Sequence, residues 1–495
     1  MSNVGGALRR WFGGFRLAYL PVLLTYLCFG ASMVTSIALL YFEKETLGLS
    51  PAEAAGIAFW LGLPWSTKMV VGVASDVRPI LGSRRGAYLI LGALCTLAGY
   101  AALATTVRTK SVYLAAALLV TIGYMVQDVV ADALSVEIAR NDEEIGQIQT
   151  LGRIATLTGG IAVGLPSGWL AALVGPRGVF TCAMALPVIV ALSVVFIPRW
   201  RDATAAAARA ADVLGGGRAR LVLLVGLGYA VFGVALEMSG IAGAQEIVLV
   251  VSAALLSFLL TRMGVTRAVM VAALVIFIFR ATPDVGQGYS YWAIDRLGFD
   301  ERFLGLLAQV SSVLGLVGLL VFRQTIVRRP VSFTLFWVIV AGTILYLPNI
   351  GLFYGLHEWL GISARSLALI DTTISAPLNQ LAMVPMLVLI AKTAPPGGEA
   401  TMFAIMASLM NLALSASQLF TQYLNEAFAV TQHDYSNLGR LMVSVGAIGL
   451  VPLLALPLLW RQERTAPSSA VVSTAEPAAF PPRRGAGQPT ARRRA

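Results

Sequence analysis

The chain has 495 residues, of which 57% are hydrophobic and only 12% are charged, and its mean hydropathy is +0.78. Soluble domains carry about 25% charged residues, so this chain lacks the polar surface that a water-soluble globule needs. The formal net charge of +11 falls in short loops and a tail rather than on a face with interleaved aromatic residues, which argues against nucleic-acid binding. Composition therefore predicts an integral membrane protein.

Apolar stretches of about 20 residues or more recur along the chain and are long enough to cross about 30 Å of hydrocarbon. They are too long for barrel strands, so a helical bundle is expected. Predicted helices 1 to 6 span residues 17–42, 53–75, 86–107, 112–139, 147–174 and 178–197. Predicted helices 7 to 12 span residues 266–294, 302–322, 330–350, 365–391, 399–425 and 438–460. Residues 219–240 and 243–262 predict an inserted two-helix hairpin between the sets, which gives 14 spans.

The two sets of six helices resemble each other at a nearly constant spacing. Leu47-Gly48-Leu49-Ser50 follows helix 1 as Leu297-Gly298-Phe299-Asp300 follows helix 7, and Ala139-Arg140 follows helix 4 as Ala391-Lys392 follows helix 10. Chance similarity between apolar segments is the alternative, but the shared offset favours two six-helix halves in parallel repeat. The predicted organisation is an N-terminal cytoplasmic segment (1–16), a first half (17–197), a linker with the hairpin (198–265), a second half (266–460) and a disordered cytoplasmic tail (461–495).

Lys and Arg residues concentrate on one side of this predicted bundle. By the positive-inside rule, both termini are expected in the cytoplasm and the chain in the inner membrane as a multi-pass protein. The sequence contains no nucleotide-binding loop, metal-ligand spacing or nucleophile–base motif. We therefore expect neither an ATP-driven pump nor an enzyme, with no cofactor and no metal, and we expect a monomer.

The loop between helices 2 and 3 has the composition of a tight, charged turn, with Gly72, Asp76, Pro79, Gly82, Arg84 and Arg85. Glycine allows close helix approach, and Pro79 and Gly82 favour a tight turn. The carboxylate of Asp76 is expected to accept hydrogen bonds at a helix end, and the arginines to anchor the loop at the cytoplasmic surface. An ordinary positive-inside turn is the alternative. The loop resembles the helix 2–3 signature of the major facilitator superfamily, which implies that it helps to hold the two halves closed on the cytoplasmic side.

A wider set of motifs resembles the folate–biopterin transporter family within that superfamily. They include Leu63-Pro64-Trp65-Ser66-Thr67-Lys68, Asp128-Val129-Val130-Ala131-Asp132, Ala281-Thr282-Pro283 and Pro395-Pro396-Gly397-Gly398-Glu399. The resemblance covers residues 63–401 and implies a proton-coupled major facilitator fold with pteridine-type substrates. The chain departs from the family pattern at Met69 and at residues 285–288.

Helix 7 carries ionisable residues within its apolar span. Arg280 lies about halfway along it, and Asp284 follows four residues later. A charge at that depth costs about 2.5–3.5 kcal/mol, so it needs a partner or a cavity. The spacing predicts that the two side chains pair on one helix face, at a break caused by Pro283. An anionic substrate would then compete for the guanidinium; a permanent structural ion pair is the alternative.

A second polar group lies at the same predicted depth on helices 4 and 10. Gln127 and Asp128 fall opposite Asn379 and Gln380 when the 252-residue offset is applied. Helices 1, 4, 7 and 10 line the cavity in the fold that the resemblance implies. We therefore expect Gln127, Asn379 and Gln380 to contact the substrate, whereas the alternative is interhelical hydrogen bonding that only holds the bundle together.

The remaining candidates for binding or proton coupling lie on helices 2, 4 and 7. Tyr289, near the outer end of helix 7, is either an interfacial aromatic residue or a stacking partner for a planar ligand. Both histidines fall in predicted outer loops, so proton coupling would use carboxylates, and Asp128 and Asp132 are the candidates, with Asp284 as a further one. Lys68 either snorkels to the headgroups along its aliphatic stem or takes part in binding.

These residues predict a secondary active transporter whose partners are a small planar, anionic heteroaromatic substrate such as a pterin or folate, protons and the lipid bilayer. Two other hypotheses remain at this stage. One is a transporter of the same fold with an unrelated organic solute, and the other is a non-transporting pigment-assembly membrane protein.

Overall fold

The computed structural model describes residues 16–197, 216–262, 266–379, 383–393 and 399–465, and every regular element within these ranges is a helix. The first helices are α1 (Leu17–Thr46), α2 (Pro51–Val77), α3 (Gly86–Thr105) and α4 (Lys110–Ile138). The stretch Asp142–Ala183 contains Gly175 at φ 67°, where the chain folds back. Residues 142–174 of this stretch form α5. The rest of it begins α6 (176–196), which also includes Ala185–Ser193 and Val194–Phe196.

The remaining helices follow in the predicted order. The hairpin is α7 (Gly216–Ser239) and α8 (Ala244–Arg262). The second half begins with a broken helix, α9a (Arg267–Arg280) and α9b (Gln287–Leu297). It continues with α10 (Glu301–Arg328), α11 (Val331–Phe353), a short helix (Leu356–Trp359), α12a (Ala364–Asn379), α12b (Met383–Thr393), α13 (Glu399–Ala427) and α14 (Leu438–Ile448, Val451–Ala455 and Leu456–Thr465).

The boundaries differ from the predicted ones in a few places. Helix α5 begins at residue 142, five residues before the prediction, because Asn141 caps it by accepting a hydrogen bond from the Glu144 N–H. Predicted helix 7 is two helices, since residues 281–286 leave the helical conformation. The predicted terminal segment, most of the predicted linker before the hairpin and most of the predicted tail lie outside the described residues.

The internal repeat is visible in local structure. Gly48 and Gly298 both have a positive φ, 62° and 63°, and end the first helix of their halves. Two residues later, Ser50 and Asp300 each cap the next helix, accepting hydrogen bonds from the N–H groups of the third residue beyond. A side-chain oxygen at this position satisfies one of the free N–H groups that begin every helix. Equivalent short segments therefore make equivalent turns in the two halves.

Nine helical stretches in the described part of the chain are long and apolar enough to cross a membrane. Many of their apolar side chains point outward, as expected of a lipid-facing surface: Leu173 is 79% exposed and Val195 is 77% exposed. The chain is a multi-pass membrane protein.

The two halves pack through small residues. Helix α2 crosses α13 where Gly62 meets Ser415, and α5 crosses α10 where Gly168 meets Gly305. A Cβ on Gly168 would lie 2.1 Å from the Glu301 carbonyl oxygen. Helices in lipid have no hydrophobic driving force for association. The van der Waals contacts at such close backbone approaches therefore supply much of the packing energy.

The hairpin lies across one of these crossings. Helix α7 packs on the last ten residues of α2, Lys68–Val77, where Gly226 meets Val70, and α8 packs on α13. Gln245 of α8 also donates to the Gly56 carbonyl of α2, at 3.1 Å. The insertion therefore contacts helices of both halves.

Candidate functional site

The break in α9 exposes backbone groups that the helix would otherwise satisfy. Side chains on one face of α13 bond to them: the Ser417 hydroxyl donates to the Thr282 carbonyl at 2.7 Å, and the Asp284 N–H donates to the Thr421 hydroxyl at 3.0 Å. Asn425 donates to the Val285 carbonyl at 3.2 Å. Irregular backbone at membrane depth persists only where protein or a water-lined cavity satisfies it.

These three side chains, Ser417, Thr421 and Asn425, are called the α13 ladder below. They are spaced four residues apart, are 5%, 0% and 0% exposed, and were missed by the sequence analysis. Their spacing in an otherwise apolar helix is a signal that could have identified them, because residues four apart share one helix face.

Arg280 and Asp284 do not form the predicted ion pair in the described structure. Arg280 is the last residue of α9a, and the following backbone is not helical, so the i, i+4 geometry is lost. Asp284 is exposed and its carboxylate accepts instead from the Gly286 N–H, at 2.6 Å.

Arg280 is half-buried, and its Nε has no hydrogen-bond partner. Among the described residues, no carboxylate forms an ion pair with it. A desolvated guanidinium without an acidic partner is costly. The position is therefore suited to an anionic group supplied from outside the protein.

A cavity of about 1270 Å³ lies beside this break. Both halves line it, since Gly62 of α2 and Glu43 of α1 face residues of α9, α11, α13 and α14. Asp284 and Tyr289 line it, whereas Arg280 does not. Its size is ample for a small organic molecule.

Polar groups are distributed around the wall of this cavity. Asn349 of α11 lines it and donates to Asp371 of α12a at 2.9 Å. Asp371, which the sequence analysis did not select, keeps its other carboxylate oxygen buried without a partner. Further polar lining residues include Thr282, Gln287, Arg329, Thr334, Thr343, Tyr346, Ser415 and Gln418.

The first half contains a second polar cluster, in which Lys68 of α2 contacts Asp128 of α4 at 2.5 Å. The Lys68 ammonium also lies 4.7 Å from the centre of the Trp65 ring. Lys68 is therefore paired within the bundle rather than snorkelling to the headgroups. A cation held between a carboxylate and an aromatic face is well stabilised in a partly desolvated site.

Asp132 lies one turn from Asp128 and belongs to the same cluster. The Tyr26 hydroxyl of α1 donates to its carboxylate, and Gln149 of α5 donates to it at 3.5 Å. Four helices, α1, α2, α4 and α5, thus contribute to this N-half polar cluster, formed by Tyr26, Lys68, Asp128, Asp132 and Gln149.

The other predicted ligand contacts are placed differently. Gln127 is 1% exposed and donates to Thr96 of α3 at 3.0 Å, so its side chain points away from the Lys68–Asp128 pair. Successive residues on a helix point in different directions, which separates Gln127 from Asp128. Asn379 is the last residue of α12a, and nothing is described of its side chain; Gln380 lies outside the described residues.

The loop after α2 is an ion-pair cluster within the first half. Arg85 is 4% exposed and contacts Asp76 at 2.6 Å and Glu137 of α4 at 2.5 Å. Arg84 contacts Asp76 at 3.1 Å. Arg85 is therefore held between two carboxylates of the first half, and the anchoring of this loop at the cytoplasmic surface stays a prediction.

Of the two glycines predicted for this loop, Gly82 serves the turn, whereas Gly72 lies within α2. Gly82 has φ 72° and follows Leu81 at φ 49°, which closes a tight turn after Pro79. A Cβ on Gly72 would meet Val129 at an ordinary 3.8 Å, so the close approach expected of Gly72 is not required there.

One end of the bundle joins the halves by direct polar contacts. Lys44, on a π-helical turn that ends α1, contacts Asp295 of α9b at 2.7 Å, and the Tyr435 hydroxyl donates to the same carboxylate at 2.6 Å. The Tyr41 hydroxyl donates to the Phe299 carbonyl at 3.1 Å. These five residues define the closed end. None of the five is among the predicted site residues, although charged residues at a helix terminus are visible in the sequence there.

The opposite end carries the Arg85 cluster and the start of α5. Asp132, Arg153 and Ile154 are exposed, the last by 50%. Among the described residues, the halves also meet where Asn411 donates to the Trp65 carbonyl at 3.0 Å.

Comparison with known proteins agrees with this architecture. The chain is 29% identical over 443 residues to a "Folate-biopterin transporter" of Synechocystis sp., covering 89% of this chain and 81% of the relative. It is 22% identical over 459 residues to "Folate transporter 2" of Plasmodium falciparum, covering 91% and 90%.

Solved structures show the same fold at low identity. A POT family transporter in complex with 5-aminolevulinic acid superposes with a TM-score of 0.65 at 13% identity, covering 92% of this chain and 98% of that one. The nucleoside transporter NupG superposes with a TM-score of 0.62 at 14% identity, covering 90% and 100%. The architecture is the all-α major facilitator fold.

Family assignment rests on the match to most of the chain. Residues 30–474 match the BT1 family. The relatives are named as transporters rather than enzymes. The chain belongs to the BT1 family and is a membrane transporter.

Proposed function

We propose that this protein is a proton-coupled secondary transporter of a small planar, anionic heteroaromatic compound such as a pterin or folate. The names of its relatives support this substrate class, since the Synechocystis protein is called a folate–biopterin transporter and the Plasmodium protein a folate transporter. The protein acts as a monomer in the inner membrane, with both termini in the cytoplasm.

Arg280 is the residue proposed to bind the anionic group of the substrate. Its guanidinium is half-buried, lacks an acidic partner among the described residues and has a free buried Nε. Charge-assisted hydrogen bonds to a carboxylate are about twice as strong as neutral ones. A carboxylate on the substrate would supply the missing partner.

The neutral part of the substrate is assigned to the cavity. Tyr289 offers an aromatic face beside Asp284 at the cavity wall, and Asn379 and Gln380 are proposed to contact ring donors and acceptors. Gln127 would support this site indirectly, through its hydrogen bond to Thr96.

The conformation is proposed to be open toward the cytoplasm. The positive-inside rule places the loop that contains Arg84 and Arg85 in the cytoplasm, so the closed end with its Lys44–Asp295 pair would face outward. In this fold, substrate sites become accessible from alternate sides as the two halves rock about them.

Transport of labelled compounds into proteoliposomes tests the substrate class. Uptake of a pterin or folate, above that of an unrelated organic anion and an uncharged solute, is the expected result. Uptake of the unrelated solute alone would reject the proposed class. If the protein remains monodisperse but neither binds nor transports any of these compounds, a role in transporting these solutes is rejected.

The proposed coupling residues are Asp128 and Asp132. Asp128 is paired with Lys68, so its protonation would release the ammonium and change the N-half polar cluster. In Asp128→Asn, we expect proton-driven accumulation to disappear while substrate exchange across the membrane persists. A Lys68→Met, Asp128→Asn double variant controls for the unpaired ammonium that the single variant leaves. Unchanged accumulation in Asp128→Asn would remove this residue from the mechanism.

A further inference from the structure

A buried carboxyl group lies directly beside the closed end. Glu43 is 8% exposed, on the same π-helical turn as Lys44, and it accepts a hydrogen bond from the Tyr113 hydroxyl of α4 at 2.6 Å. It is also among the residues that line the 1270 Å³ cavity. Turns of the π type are rare and occur mainly at functional positions.

Glu43 has no cationic partner in the described structure. Its neighbour Lys44 is directed to Asp295, in the other half. Arg177 of α6 packs on the ring of the adjacent Phe42, and it donates to the carbonyls of residues 104, 105 and 107 rather than to Glu43. An isolated buried carboxylate is strongly disfavoured, and such a group takes up a proton instead.

The other polar groups described around Glu43 are hydroxyls. Tyr113 donates to it from α4, and Tyr291 of α9b lies beside the same turn, since the Lys44 ammonium is 5.8 Å from the centre of its ring. The Tyr291 hydroxyl is buried without a partner. The surroundings therefore solvate a neutral carboxyl adequately but offer no positive charge to a carboxylate while Lys44 remains bound to Asp295.

We propose that Glu43 is a proton-binding site whose protonation favours the Lys44–Asp295 contact and so closes this end of the transporter. Loss of the proton would bury a charge in the closed state and would offer the Lys44 ammonium a competing carboxylate. A ligand shifts a conformational equilibrium by its difference in affinity between the two states. The proton binds the closed state more tightly, because opening admits water that stabilises the carboxylate.

The cavity gives the proton a second route. Since Glu43 lines it, the carboxyl group can exchange its proton through the cavity while this end stays closed. This inference rests on the proposed function only in taking the proton as the coupling ion. It concerns closure rather than substrate recognition, so it can fail independently.

Pulsed electron paramagnetic resonance on the full chain tests the proposal without any substrate. Spin labels on cysteines at Thr46 and Ser436, both exposed and in opposite halves, report the width of this end after Cys28, Cys95 and Cys182 are replaced. In the parent protein we expect the short label-to-label distance to give way to a longer one as pH rises. In Glu43→Gln, which stays neutral and can still accept from Tyr113, the short distance should persist at every pH.

The controls separate this site from its neighbours. Glu45→Gln removes an exposed carboxylate on the same turn and should leave the pH-dependent change intact. Tyr113→Phe removes a donor to the carboxylate and should move the change to higher pH. The proposal is overturned if Glu43→Gln keeps the parental response, or if Glu45→Gln abolishes it equally. Loss of the response in Asp128→Asn but not in Glu43→Gln would assign it to the N-half polar cluster, in agreement with the proposed function but against this inference.

Discussion

At the scale of single residues, the most informative feature is a charge whose expected partner is absent. Arg280 was expected to pair with Asp284, yet Asp284 is bound to the Gly286 N–H. Replacing Arg280 therefore does not leave a buried carboxylate unpaired, which makes the single substitution interpretable.

We expect Arg280→Gln to weaken binding of an anionic substrate about 10- to 100-fold. The reason is that a hydrogen bond to a charged group contributes about 1.5–3 kcal/mol. The measurement is equilibrium binding to purified protein. Arg365→Gln, which removes an exposed arginine that contacts Asp300 at 3.4 Å, is the matched control. Equal affinity in the Arg280→Gln variant and the parent would exclude Arg280 from the site.

At the scale of elements, the break in α9 depends on its neighbour. Pro283 removes a helix donor, but only the α13 ladder satisfies the groups that the break exposes. Sequence alone located the break, whereas its stabilising partner lies more than 130 residues away along the chain.

Thr421→Val should destabilise this break. The valine has the same shape, but the Asp284 N–H loses its acceptor, and an unsatisfied buried donor costs about 1–3 kcal/mol. We expect a lower apparent unfolding temperature in detergent. Thr373→Val removes a hydroxyl that bonds only to its own helix, at the Leu369 carbonyl, and should change stability by less than about 0.5 kcal/mol. Similar losses in the two variants would argue against the ladder.

At the scale of the whole molecule, the orientation of the closed end and the path of the hairpin remain predictions. The turn between α7 and α8 includes Ser239 and Ile241, both exposed, whereas Ala244 is only 8% exposed and is unsuitable for labelling. If the closed end faces outward, this turn lies on the same outer side.

Cysteines at Ser239 and Ile241, in a cysteine-free background, should react with an impermeant reagent added to intact cells. A cysteine at Leu81, which is 97% exposed in the loop after α2, should react only after the membrane is opened. The reverse pattern would invert the topology. Reaction of all three only after opening would contradict a hairpin that crosses the membrane.

The sequence by itself determined the features that depend on composition and local spacing. Apolar stretches gave the helices, Gly48 and Gly298 marked equivalent turns of the repeat, and Pro283 marked the break, because backbone preferences and hydrophobic length act within a few residues. Family resemblance through residues 63–401 agreed with the match over residues 30–474.

Only the tertiary structure decided which side chains meet. The sequence left open whether Lys68 snorkels or binds, and the structure places Asp128 of α4 2.5 Å from it. Gln127 and Asp128 are adjacent in the sequence but face different helices. Nothing in the sequence distinguishes Glu43 from the other acidic residues. In the structure, the π-helical turn and α4 bury it beside the Lys44–Asp295 contact. The energy of a charge in a membrane depends on its partners and on its access to water, and both are set by helices distant in the chain.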